Sequence, residues 1–199
     1  MVSLHRCPAW PCTLHDVQLA MTTIATTWGS TPAERAQPFP CDDVLPRAPY
    51  ELYRAVTVQA PPALVYRWLC QLRVAPYSYD LLDNLGRRSP RELTGGLDEL
   101  AVGQRFMTIF TLAAFEPAKH VTVRIVPGSP RTLFGDLVVS YTFTADGAAS
   151  SRLVVKLRVD LPGQGLPARM RRTLLAWGDL FMMRKQLLTL KALAEKTQA

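Results

Sequence analysis

Tyr141, Asp80 and Asp83 are side chains whose type and placing could do acid–base chemistry. Tyr141 stands in the alternation Leu137, Val139, Tyr141, Phe143, so a strand would carry its hydroxyl on an apolar face. There it acts on a substrate or is core with a satisfied hydroxyl. Asp80 and Asp83 are three residues apart, which puts both on one side of a helical turn. Turned into an apolar cavity, such a carboxylate would have a raised pKa and could serve as acid or base. At a surface it only caps the helix and complements its dipole. Arg54 shares strand parity with Leu52, Val56 and Val58. Inward, it could meet a ligand carboxylate; at a strand end it would reach solvent.

Other reactive residue types carry less. "HRCPAWPCTLH" gathers His5, Cys7, Cys12 and His15, but its Cys-x4-Cys spacing is looser than most zinc motifs and no second pair follows. No metal is expected. His120 has the parity opposite to Val121, Val123 and Ile125 and so faces solvent. No Ser–His–Asp set, phosphate-binding loop, dinucleotide fingerprint or acidic metal cluster is legible, so no cofactor is expected and binding is favoured over catalysis.

The elements that must position these residues follow from periodicity. "ELYRAVTVQ" alternates as a strand, and Pro61-Pro62 end it and preset a helix. Leu64, Val65, Trp68, Leu69 and Leu72 then define one helical face, with Cys70 as a small core residue beside it. A second short helix is expected over 77–87, closed by Gly86. Apolar runs at 104–115, 120–126, 137–143 and 153–161, separated by turn residues, read as consecutive antiparallel strands. Leu153, Val155 and Leu157 must face inward, because the alternate positions are Arg152, Lys156 and Arg158. By the same parity Ser140 and Thr142 point out. A helix of up to about 30 residues, roughly 45 Å, ends the chain; Met170, Leu174, Trp177, Phe181 and Leu188 form its main apolar stripe. The run 104–115 is apolar on both faces, Phe106, Phe110 and Leu112 against Met107, Ile109 and Phe115. Either an N-terminal arm bearing Trp28 and Phe39 covers its outer side, or a homodimer does.

This order is α+β: a curved antiparallel sheet wrapped around a long C-terminal helix, with two short helices after the first strand. The chain resembles the helix-grip superfamily called SRPBCC or START-like, which includes polyketide cyclase/dehydrase-type and birch-pollen-allergen-type proteins. The likeness rests on "YRAVTVQAPPALVYRWL" (Tyr53–Leu69), "PYSYDLLDNLGRRSP" (Pro76–Pro90), "LAVGQRFMTIF" (Leu100–Phe110) and the terminal helix. It implies a cavity for a small hydrophobic ligand such as a lipid, sterol or polyketide. The expected walls are Phe110, Val123, Val139, Tyr141, Val155, Trp177 and Phe181, with Arg54 as a polar contact. The enzyme alternative is a cyclase or dehydratase using Tyr141 and a helix carboxylate. A third reading is a partner-binding module acting through the basic C-terminal helix.

The whole chain sets the limits. Its 199 residues allow one domain with a good core. Residues 50–196 are expected to form it, 21–49 an arm with a short helix capped by Thr31 and Glu34. Residues 1–20 are expected to be disordered or to lie upstream of a start at Met21. The net charge is +7, and five of those charges arise after Pro167, where seven cations oppose two acids. The cations spread around the helix, so no nucleic-acid partner is expected. No apolar run approaches the roughly 20 residues of a membrane span, and no secretion signal opens the chain. A cytoplasmic protein without stable membrane insertion is expected, and four cysteines make no disulfide framework there.

Overall fold

A computed structural model describes residues 23–83 and 86–198. His5, Cys7, Cys12, His15 and Met21 lie outside the described residues. Short helices α1 (Pro32–Arg35) and α2 (Pro40–Val44) precede strand β1 (Tyr50–Val58). Helix α3 (Pro62–Cys70), a 3₁₀ turn (Gln71–Arg73) and the short α4 (Asp80–Asp83) follow. Strands β2 (Arg105–Phe106), β3 (Phe110–Glu116) and β4 (His120–Ile125) lead to α5 (Ser129–Phe134). Then come β5 (Asp136–Ala145), β6 (Ser151–Asp160) and the terminal α6 (Gly165–Gln198). The six strands form one antiparallel sheet in the order β1-β6-β5-β4-β3-β2.

Local chemistry explains the early elements. Thr31 and Glu34 close a reciprocal capping box, the Thr31 hydroxyl accepting from the Glu34 N–H at 3.2 Å and Glu34 Oε2 accepting from the Thr31 N–H at 2.7 Å. Pro61 is extended and Pro62 opens α3, whose Val65, Trp68 and Leu69 are buried along with Leu72 just beyond it. The inner sheet face joins them through Leu52, Val123, Val139, Tyr141, Val155 and Leu157 in one continuous core.

The run 104–115 is not one strand. Residues 107–109 reverse the chain, Met107 taking a left-handed φ of 47°, and Phe106 pairs directly with Phe110. Glycine and proline, the usual turn signals, are absent there, so periodicity alone joined two strands. A bulge between Leu112 and Ala114 then shifts the register, and Phe115 pairs with the inward Val121. One extra residue flips a side chain to the other face. Phe110, Leu112 and Phe115 therefore share the inner face, and the two-sided apolar run that called for a cover disappears.

The arm covers a different area. Phe39 and Cys41 pack on Tyr53, Ala55, Val138 and Val154, the outer faces of β1, β5 and β6. Arg152 pairs with Glu34 at 2.7 Å, and Lys156 and Arg158 both pair with Asp42, at 2.7 and 2.8 Å. Parity assigned these basic residues to the outer face correctly, but that face is roofed. Ser140 and Thr122, also outward, are fully buried and hydrogen-bonded to each other at 2.7 Å. Trp28 sits instead beside β1, its carbonyl accepting from the Ala55 N–H at 3.0 Å and its ring under Arg184.

Helix α6 departs most from expectation. Met170, Leu174, Phe181 and Leu188 face solvent, and Trp177 is half-buried. The face laid on the sheet carries Ala176, Leu180, Met183, Leu187, Leu190 and Ala194, a strict alternation of four- and three-residue steps. Both sides of the helix are apolar, so periodicity did not choose between them. This face, with Ala176 and Ala194 buried on it, packs along β1 and α3.

Candidate functional site

Strand register places the first polar pair. Arg54 is opposite Val155, and Val155 is opposite Tyr141, so Arg54 and Tyr141 stand in one row across β1, β6 and β5. Two strand spacings, about 9.6 Å, separate them. On α6, Asp179 and Gln186 are seven residues apart, about 10.5 Å along the axis. Helix and row match in length, and α6 sets Asp179 over Arg54 and Gln186 over Tyr141.

At the first contact Arg54 is completely buried, and its Nη2 lies 2.8 Å from Asp179 Oδ2. Nη2 also donates to the Ala25 and Ala176 carbonyls, at 2.8 and 3.2 Å. Its two hydrogens are thus directed elsewhere, and Asp179 Oδ2 receives charge but no aligned donor. Burial pushes the Asp179 carboxyl up to about 6 against the opposing pull of Arg54. Such a group is half-protonated only at about pH 6, and through that range it can accept or give a proton.

At the second contact the Tyr141 hydroxyl donates to Gln186 Oε1 at 2.9 Å, and Gln186 Nε2 donates to the Pro76 carbonyl at 2.7 Å. Burial raises the Tyr141 hydroxyl far above its ordinary value, so it is a donor and not a phenolate. Two further buried hydroxyls, Tyr66 and Tyr77, have no hydrogen-bond partner. Tyr77 holds a left-handed φ of 56° and meets Trp68 edge to face at 6.3 Å.

The expected walls are close-packed. Val123 and Val155 have 0 % exposure, Tyr141 1 % and Val139 2 %, so no space opens beside them. Phe110 is half-buried, and Phe181 points to solvent, stacked at a tilt on Trp177. Arg54 faces inward, but its charge meets Asp179 within the chain. Asp80 accepts from the Ser89 N–H at 3.0 Å and from its hydroxyl at 2.5 Å, which ties down the loop after α4. The Asp83 side chain lies outside the described residues. His120 is on the outer face but half-buried; burial lowers its pKa and leaves Nδ1 without a partner. Among the described residues no three His, Cys, Asp or Glu side chains gather as a metal site requires.

Asp179 and Gln186 were missed in the sequence. Both lie on the face marked by the four–three spacing, and that spacing was the available signal. An open depression of about 620 Å³, lined by Gly128, Ser129, Thr132, Leu133 and Arg171, lies between α5 and the start of α6. Beside it, Ala168 is the single buried residue of the first ten in α6.

No family model and no curated protein matches the sequence. Solved structures do. A solution structure from Thermobifida fusca is 14% identical, with 73% of this chain and 93% of that chain covered, at a TM-score of 0.51. The Zhui aromatase/cyclase from a Streptomyces species is 16% identical over 75% of this chain and 96% of its own, at 0.49. A norcoclaurine synthase from Thalictrum is 12% identical over 75% and 96%, at 0.45. These likenesses speak for the fold alone. With its curved antiparallel sheet, two short helices after the first strand and long terminal helix, the chain has the helix-grip α+β fold.

Proposed function

We propose that the protein binds a small, mainly apolar molecule with one hydrogen-donating group, such as a sterol, lipid or polyketide, between the sheet and α6. The observation that carries this reading is the buried Oδ2 of Asp179, which lies 2.8 Å from Arg54 Nη2 but meets no aligned donor. Leaving a buried acceptor unmet costs about 1–3 kcal/mol, and a ligand hydroxyl placed there would recover it. A buried ion pair is weak support for stability in itself, which favours a role in recognition. Because the walls are packed shut, admission requires the lightly held first turns of α6 to move away from α5, at the open depression.

Native mass spectrometry of protein purified from its own cells, followed by organic extraction, tests this. A molecule of defined mass, retained by Leu174→Ser protein but lost from Asp179→Asn protein, is the expected result. A bare chain mass, with no thermal shift across sterols, lipids and polyketides, would sink the reading.

A second reading, a cyclase- or dehydratase-like enzyme, is favoured by one observation: Asp179, its carboxyl pushed up to about 6 by burial, faces the sheet on the same side of α6 as the Gln186 that binds the Tyr141 hydroxyl. The carboxylate in that scheme is Asp179 and not one from α4. Turnover lost with binding kept in Tyr141→Phe protein would support the enzyme over the binder.

A further inference from the structure

The outward side of α6 is apolar without a partner. Leu166, Met170, Leu174 and Phe181 are 58–70 % exposed, and Leu188 continues their line. From Leu166 to Leu188 the stripe is about 33 Å long at 1.5 Å per residue. Single exposed apolar residues are ordinary, but an aligned row of this length marks an interaction surface.

What borders the stripe identifies the occupant. Arg169, Arg171, Arg184, Lys185 and Lys196 are exposed on α6. Its two acids are both engaged, Asp179 under Arg54 and Glu195 with Lys191. The exposed side of the helix is therefore apolar along its middle and positive along its margins. A second copy of the chain is disfavoured on two grounds. It would set like charges against each other, and a stripe about 10 Å wide offers roughly 330 Å², against about 800 Å² per partner in a stable interface. A negatively charged lipid surface answers both features at once. The apolar residues enter the headgroup boundary while the cations meet lipid phosphates and carboxylates.

We propose that the outer face of α6 docks the protein on an anionic membrane surface, lying in the interface without crossing it. None of the chain's helices among the described residues is long and apolar enough to span a bilayer. The inference does not depend on the interior ligand, because the docking residues face away from Asp179 and Tyr141.

Co-sedimentation of the full chain with phosphatidylcholine vesicles, with and without phosphatidylserine, tests it. Binding is expected only with phosphatidylserine and is expected to weaken as salt is raised. The Leu174→Ser, Phe181→Ser double variant should lose about tenfold or more in partitioning with its thermal unfolding unchanged. Arg169→Glu with Lys185→Glu should lose binding with the apolar stripe intact. Absence of binding to either vesicle overturns the proposal, as does equal, salt-insensitive binding to both. A concentration-dependent dimer abolished by the serine substitutions, without vesicle binding, would assign the stripe to a second copy instead.

Discussion

At Asp179 burial and the Arg54 charge act in opposite directions, and burial prevails: the carboxyl titrates at about 6 where an ordinary one does so at 3.8. A raised acid binds more proton in the native chain than in the unfolded one. Its contribution to stability is therefore largest below 3.8 and is lost as pH rises to about 6. Asn at this position removes the titration while keeping the shape. Urea unfolding of both proteins across that range should show wild-type stability falling relative to Asp179→Asn as pH rises, then running parallel above it. Parallel curves throughout would mean that the carboxyl does not change protonation on unfolding. Tyr141 carries a different lesson. Its alternation with Val139 and Phe143 was legible, and the structure buries it as expected. Its partner Gln186 was not legible, because the pairing exists only once α6 lies across β5.

Among the elements, the arm makes one close approach to β1 that no periodicity announces. Gly29 has a φ of 75°, and a Cβ built there would stand 2.1 Å from the Ala55 carbonyl oxygen. The Trp28 carbonyl accepts from Ala55 N–H in the same place, extending the pairing of the edge strand β1. Gly29→Ala combines left-handed strain with a backbone collision and cannot keep that contact. A loss of about 3 kcal/mol in chemical unfolding is expected. A loss below about 0.5 kcal/mol, within the range of a neutral surface change, would show that the arm does not rest on β1 in this way. The capping box at Thr31–Glu34 and the Pro61-Pro62 start of α3 were readable, since both are set within a few residues. The β2–β3 reversal and the bulge after Leu112 were not. Met107 adopts its left-handed turn because the surrounding packing holds it there.

For the whole molecule, the arm's acids and Asp179 respond oppositely to acid. Arg152, hydrogen-bonded to Glu34, holds that carboxyl below its ordinary 4.5. Burial raises Asp42, but Lys156, the Phe39 N–H and Arg158 outweigh it and keep it below 3.8. Depressed acids contribute stability that is complete above those ordinary values and is lost as pH falls through the folded ones. Asp179 changes in the other sense, so acid should loosen the arm before the grip. Cys41, on α2 of the arm, is buried against the outer sheet face, and Cys70, at the end of α3, is buried in the core. Labelling with a pyridyl disulfide at stepwise lower pH, mapped by peptide mass, should modify Cys41 before Cys70. Simultaneous modification of both cysteines would mean that arm and domain unfold as one unit.

The sequence by itself determined the α+β order, the inward parity of β5 and β6, the entry into α3 and the cap of α1. These depend on strand alternation and helix-terminus chemistry, which act over a few residues. Tertiary structure decided which side of α6 is buried, which face Phe115 joins and what covers the outer sheet. A helix apolar on two sides, and a strand one residue from a register change, are locally degenerate. The choice was made by distant partners: Arg54 drawing Asp179 inward, and Glu34 and Asp42 meeting the basic row on β6. Those contacts have no counterpart in local spacing.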